Sequence, residues 1–208
     1  MGISVIFQIF ILIFSVMIHE ISHGLMALAF GDRTAEYEGR LTLNPLAHID
    51  LFGSIILPAL FYLSGTGIMI GWAKPVPYNV YNLRNRKIAE PLVALAGPAS
   101  NLIVAGIFAI LVRMLANTSG AAGQTLALVF GFIVLVNLSL AVFNLIPIPP
   151  LDGSKVLFSI IPVDRRLVFS SFAERYGLLL IILVVIFLPG VILPIVSSLF
   201  TLFTGMHF

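Results

Sequence analysis

The chain has 208 residues, of which 60% are hydrophobic and only 10% charged, with a formal net charge of +2 and no cysteine. A soluble domain is about 25% charged, so this composition, with a mean hydropathy of +1.12, excludes an ordinary water-soluble globule and points to an integral membrane protein. The missing cysteines exclude disulfides and thiolate metal ligands, and no basic run with interleaved aromatics suggests a nucleic-acid partner.

Apolar runs cover roughly 3–30, 51–71, 91–117, 124–148 and 178–204, each near or above the ~20 residues that cross a bilayer as a helix. The loops between them are short, so residues 1–208 read as one domain. The expected fold class is an all-α polytopic membrane protein with about four to six membrane helices, a small membrane-associated β element and a re-entrant segment.

The first run carries His19-Glu20-Ile21-Ser22-His23. Histidines four apart lie on one helix face, so both imidazoles can reach one metal ion. Glu20 lies about 100° round the helix, within reach of a water on that metal. Ionisable groups at membrane depth are costly and functional by default. Ala27-Leu28-Ala29 resembles a signal cleavage site, but no Lys or Arg precedes the run, which reads as a retained first helix.

Gly31-Asp32 stops that helix. Residues 34–43 partly alternate apolar and polar, with Tyr37, Leu41 and Leu43 on one face, which predicts a short strand ended by Asn44-Pro45. His48 follows in a polar loop and reads as structural. Lys74-Pro75-Val76-Pro77 and then Arg84, Arg86 and Lys87 form a basic membrane-edge loop. The 91–117 run opens with Gly97-Pro98-Ala99-Ser100-Asn101, small residues that allow close packing in lipid beside a polar group that needs a partner.

Residues 144–153 read Asn-Leu-Ile-Pro-Ile-Pro-Pro-Leu-Asp-Gly. Three prolines unwind the backbone after the fourth run, which is tolerated near a membrane where it is buried in protein or lines a cavity. Asp152 on this segment is either a third, oxygen ligand for zinc or the N-cap of a helix from about Ser154. The last run is interrupted by Pro189-Gly190 and Pro194, and His207 stands next to the carboxyl terminus.

The HExxH helix, Gly97-Pro98-Ala99-Ser100-Asn101 and the Asn144–Gly153 run, in that order, resemble the site-2 protease family of intramembrane zinc metalloproteases. The likeness covers about 20 to 150 and extends to Asn44-Pro45-Leu46-Ala47-His48 and Gly71-Trp72-Ala73-Lys74-Pro75, as in the short branch without a PDZ-like or nucleotide-binding domain. The resemblance implies one Zn2+ per chain, held by His19, His23 and Asp152, with Glu20 as general base and acid. It implies that Asn101 and Asn144 hold substrate or the developing oxyanion. The implied substrate is a single-spanning membrane protein, cut in or near its membrane segment; a strand at 34–43 would suit holding it in extended form by strand addition. A metal carrier or scaffold in the membrane is the alternative, distinguished by having no need of Glu20.

A metal shared by His19, His23 and Asp152 requires an even number of crossings between the end of the first run and the end of the 124–148 run. One of the three intervening runs is then re-entrant, and 51–71, rich in glycine with Pro58, suits this. Every Lys and Arg except Arg113 then falls on one side. The positive-inside rule makes that side cytoplasmic, with the active site nearer the cytoplasmic face of a bacterial or archaeal cell membrane.

Overall fold

The computed structural model describes residues 4–56, 60, 74–115, 120–161, 175–177 and 179–206. Its helices are α1 (Val5–Ala29), α2 (Thr34–Tyr37), α3 (Arg86–Leu115), α4 (Ala121–Asn144), α5 (Asp152–Ile160), α6 (Arg175–Phe187) and α7 (Pro189–Thr204). A 3-10 turn at Pro45–His48 and a π-helical turn at Leu51–Ile56 join α2 to the loop beyond.

α1 starts where Ser4 Oγ accepts from the Phe7 N–H at 3.4 Å. Its 25 residues rise about 37 Å, enough to cross the ~30 Å hydrocarbon core. It closes at the Gly31-Asp32 pair, where the Gly31 N–H reaches the Leu28 carbonyl at 2.9 Å and the Asp32 N–H reaches Ala27 at 3.0 Å. These paired bonds satisfy carbonyls that a helix end would otherwise leave open.

Among the described residues three helices are long and apolar enough to span a membrane: α1, α3 and α4. A fourth span is reached only if α6 and α7, bent by 69° at their junction, count as one. Among the described residues the count is therefore three, or four with the bent pair, at or below the low end of the expected four to six. Pro189 lacks an N–H and begins a new helix in the 178–204 run. The 51–71 run, expected to be re-entrant, lies outside the described residues after Ile56 except for Leu60.

The β element is corrected, because there is no strand among the described residues. Residues 34–37 form a turn of helix, whose start is held by Asp32 Oδ1 accepting from the Thr34 N–H at 3.2 Å. Gly39, at φ +64, closes it, with the Arg40 N–H on the Ala35 carbonyl at 2.9 Å. An aspartate that accepts from the first helical N–H and a left-handed glycine outweigh the short alternation of Tyr37, Leu41 and Leu43.

α3 is the centre of the bundle and packs on α1, α4, α5 and α7. Ala89, Val93, Gly97, Asn101, Ala105 and Ala109, spaced every fourth residue, are all buried on it. Small side chains on this stripe let neighbouring backbones approach, which drives helix association in lipid. Ala105 and Ala109 meet Val134 and Leu138 of α4 and Val196 and Phe200 of α7. At the far end Arg113 donates to the Leu202 and Phe203 carbonyls, each at 2.7 Å, and satisfies the last turn of α7.

α1 and α4 run parallel, with α3 antiparallel to both, since His23 meets Val93 while Ser15 lies by Asn101, and Asn101 meets Asn137 while Phe108 meets Phe130. The ends of α1 and α4 thus lie on one side. Asp32, 1% exposed, ties that end together by accepting from the Asn79 N–H at 2.6 Å and Asn82 Nδ2 at 2.9 Å. Burial pushes its carboxyl pKa up, but the hydrogen bonds from Thr34, Asn82 and Asn79 outweigh this and hold it below the usual value. A lowered pKa stabilises the fold above the unfolded value of about 4 and loses that contribution as pH falls through the folded value. Asp32→Asn should therefore lower stability by about 1–2 kcal/mol near neutral pH. Thermal midpoints in detergent should show the difference from wild type shrinking below about pH 4.

Candidate metal centre

The helical period puts His19 and His23 of α1 on one buried face. Their Nε2 atoms are 3.1 Å apart, and each is 3.1 Å from Asp152 Oδ2. Asp152 is the first residue of α5, and Leu151, not Asp152, occupies the N-cap position. Its carboxylate therefore faces the histidines instead of capping the helix.

Two imidazole nitrogens and a carboxylate oxygen form a zinc-type donor set that leaves one position open. The 3.1 Å edges of this triangle are close to the roughly 3.3 Å that separates two ligand atoms on a tetrahedral centre with ~2.0 Å bonds. The outer nitrogens agree. His23 Nδ1–H donates to the Val93 carbonyl at 2.6 Å, and His19 Nδ1–H donates to Asn101 Oδ1 at 2.6 Å. Both Nε2 lone pairs therefore point inward, as ligation needs. Pro98 has no N–H for the Ala94 carbonyl, and it loosens α3 beside the turn that offers Val93.

Gly97 is the residue that makes this approach possible. A Cβ there would stand 2.5 Å from Nε2 of both histidines. The α3 backbone is thus the floor of the site.

Asp152 Oδ1 accepts from Lys155 Nζ at 3.0 Å, which leaves Oδ2 for the histidines. Burial pushes the Asp152 carboxyl pKa up, but the polar groups around it, the Lys155 charge among them, hold it well below the usual carboxylate range. Burial likewise lowers the Lys155 value, and the Asp152 charge more than reverses this.

Glu20 Oε2 accepts from the Val76 N–H at 2.8 Å. The loop that provides this donor is itself held. The Lys74 N–H donates to the His48 carbonyl at 2.9 Å, and Arg40 Nη2 donates to the carbonyls of Lys74 at 2.7 Å and Pro75 at 3.2 Å. His48 is buried, with Nε2 on the Thr42 carbonyl at 2.9 Å, which is the structural role expected of it.

The structure thus brings His19, His23 and Asp152 together and sets Asn101 against His19. Asn101 Nδ2 donates to Asn137 Oδ1 at 2.8 Å and to the Ser15 carbonyl at 3.3 Å. Asn144, at the end of α4, donates to the Leu140 carbonyl of its own helix at 3.0 Å. Three contributors escaped the sequence reading. Asn137 carried a signal, as a lone amide in an apolar run seven residues before Asn144, on the same helix face. Lys155 carried another, at i+3 from Asp152. The Val76 N–H is a backbone group and carried none.

Comparison with known proteins agrees with this geometry. The model of peptidase family M50 matches residues 112–188. YwhC of Bacillus subtilis is 40% identical over 170 residues, covering 80% of this chain and 74% of the relative. Rip2 of Mycolicibacterium smegmatis is 31% identical over 172 residues, with 83% and 63% covered. MJ0611 of Methanocaldococcus jannaschii is 35% identical over 144 residues, with 67% and 62% covered. All three bear provisional names as zinc metalloproteases. No solved structure matches the chain.

An integral membrane protein with an HExxH helix and a buried His-His-Asp cluster has the features of a membrane-embedded metallopeptidase. The chain belongs to peptidase family M50, the site-2 protease family, whose members are zinc-dependent.

The steric limit at Gly97 is directly testable. Gly97→Ala should reduce bound zinc at least ten-fold in equilibrium dialysis, as expected when ligands are displaced. Circular dichroism should show helix content unchanged, because alanine favours helix more than glycine does.

Proposed function

We propose that this protein is a zinc metalloendopeptidase that hydrolyses peptide bonds within or beside the spanning segments of other membrane proteins. The observation that carries the reading is the meeting of His19, His23 and Asp152, with ligand atoms within 4.8 Å of one another, on an apolar helix that also carries Glu20.

In this reading those three residues hold one zinc ion per chain. When bound, zinc supplies Lewis acidity, which brings the pKa of a water towards ~7 and polarises a peptide carbonyl. Glu20 takes the proton from the attacking water. The water oxygen forms a bond to the carbonyl carbon, the C–N bond breaks, and Glu20 delivers the proton to the leaving amine. The Val76 N–H holds Oε2 of Glu20 and thereby orients the carboxylate for both transfers. Asn144 directs one amide hydrogen to Leu140, and the other serves the developing oxyanion. Asn101 spends both amide hydrogens on Asn137 and Ser15, so it acts on the substrate only through the His19 it holds.

The substrate class follows from the setting. A spanning helix hides its carbonyls in its own hydrogen bonds, so a single-spanning substrate must unwind locally before hydrolysis. Without a strand at 34–43, strand addition there is not part of the mechanism. The loops at the shared end of α1 and α4 hold Arg33, Arg40, Lys74 and Arg84, and α5 adds Lys155, which supports a cytoplasmic position for this end in a bacterial or archaeal cell membrane.

His19→Ala, His23→Ala and Asp152→Ala should each lose zinc, and full zinc in all three would remove the ligand assignment. Glu20→Gln should keep zinc and lower cleavage of a membrane-spanning substrate by about 10²–10⁴-fold. Near-normal cleavage by that variant would sink the protease mechanism, whereas a metal carrier would be indifferent to it. For the substrate, replacing Gly or Pro in its spanning segment with Leu should slow cleavage, because Leu favours helix. Equal rates across such a series would show that unwinding does not limit the reaction.

A further inference from the structure

We infer that Asn137, on α4, is a positioning residue that sets the tautomer of His19 through Asn101. The inference rests on the zinc reading above.

The two histidines are held differently. His23 Nδ1 faces the Val93 carbonyl, which can only accept, so its proton is placed directly. His19 Nδ1 faces the side-chain amide of Asn101, which can present oxygen or nitrogen. With the amide reversed, Nδ2 would donate to His19 Nδ1. The proton would then move to Nε2, the atom that faces His23 and Asp152. An Nε2–H cannot ligate a metal.

Asn137 opposes that reversal. Its Oδ1 accepts from Asn101 Nδ2 at 2.8 Å, while its Nδ2 donates to Ser15 Oγ and to the Ile133 carbonyl, each at 2.9 Å. In the reversed chain Asn137 would have to turn Nδ2 towards Asn101. That would place its Oδ1 against the Ile133 oxygen, acceptor against acceptor. A backbone carbonyl cannot change its role. Ile133 thus orients Asn137, Asn137 orients Asn101, and Asn101 places the proton on His19 Nδ1. The Ser15 carbonyl gives Asn101 a second, longer brace at 3.3 Å.

Burial and cost favour this role over simple helix association. Asn101 and Asn137 are 0% exposed and Ser15 4% exposed, within three spanning helices. Polar pairs contribute little to helix association in lipid, where the unfolded helices find other partners, so stability alone is a weak reason for two buried amides here. Every amide hydrogen in the pair has an acceptor, and the direction of the chain ends on a ligand.

The test uses the full chain in lipid nanodiscs with 15N-labelled histidine, the His19 signals being identified by their loss in His19→Ala. The variants are Asn137→Leu and Asn137→Ala, of opposite size, with Val134→Ala as a packing control on the same helix. In metal-free wild type His19 should be protonated at Nδ1. Both Asn137 variants should show a population with Nδ1 unprotonated and bind zinc about ten-fold more weakly in chelator competition, the low end of effects seen for groups that support a ligand. Val134→Ala should change neither. Adding Asn137→Leu to Asn101→Ala should weaken zinc by no more than about two-fold further, because the two act in series. The inference is overturned if both Asn137 variants keep the wild-type tautomer and zinc affinity, or if Val134→Ala shifts them equally. The nitrogen spectrum of metal-free protein reports the relay without zinc. Failure of wild type to bind zinc through His19 would instead strike the zinc reading itself.

Discussion

Three electron-pair donors from distant parts of the chain converge inside an apolar bundle, and most of the polar structure around them exists to satisfy what remains of those groups. An imidazole, an imidazole and a carboxylate cannot sit in low dielectric with loose ends. Each loose end has a partner: Val93 for His23, Asn101 for His19, and Lys155 for the second oxygen of Asp152. The partners come from α3 and α5, so satisfying the site also fixes how α1, α3 and α5 lie together.

α3 carries the heaviest share of this arrangement. Its every-fourth-residue stripe gives a glycine where the imidazoles lie, an amide where His19 needs an acceptor, and alanines where α4 and α7 close on it. A single helical register therefore serves packing and chemistry together. A shift of α3 by one residue, about 1.5 Å along its axis and 100° round it, would lose both at once.

Much of this was legible in the sequence, for identifiable reasons. The helical period alone puts His19 and His23 on one face, and the prolines just before Asp152 mark an unwound segment where a carboxylate can turn inward. The short segment at 34–43 was misread because three apolar side chains suggested alternation, while the stronger signals were Asp32 before it and Gly39 within it. Among the described residues fewer spans are found than hydrophobic length suggests, because the run that Pro189 divides gives two helices that pass as a span only together. The roles of Asn101 and Asn137 depend on which helix faces which, and that is tertiary information. The Val76 N–H that holds Glu20 has no side-chain signature at all.

Gly97 has a consequence for traffic. With the imidazoles lying directly on the α3 backbone, no corridor can run between that helix and the ligand atoms. α3 is a back wall, and anything that reaches the centre must come from another quarter. Bulk added elsewhere around the centre could narrow an entrance, but bulk added on this wall removes the room itself. The same backbone that supports the chemistry thus also closes one side of the site.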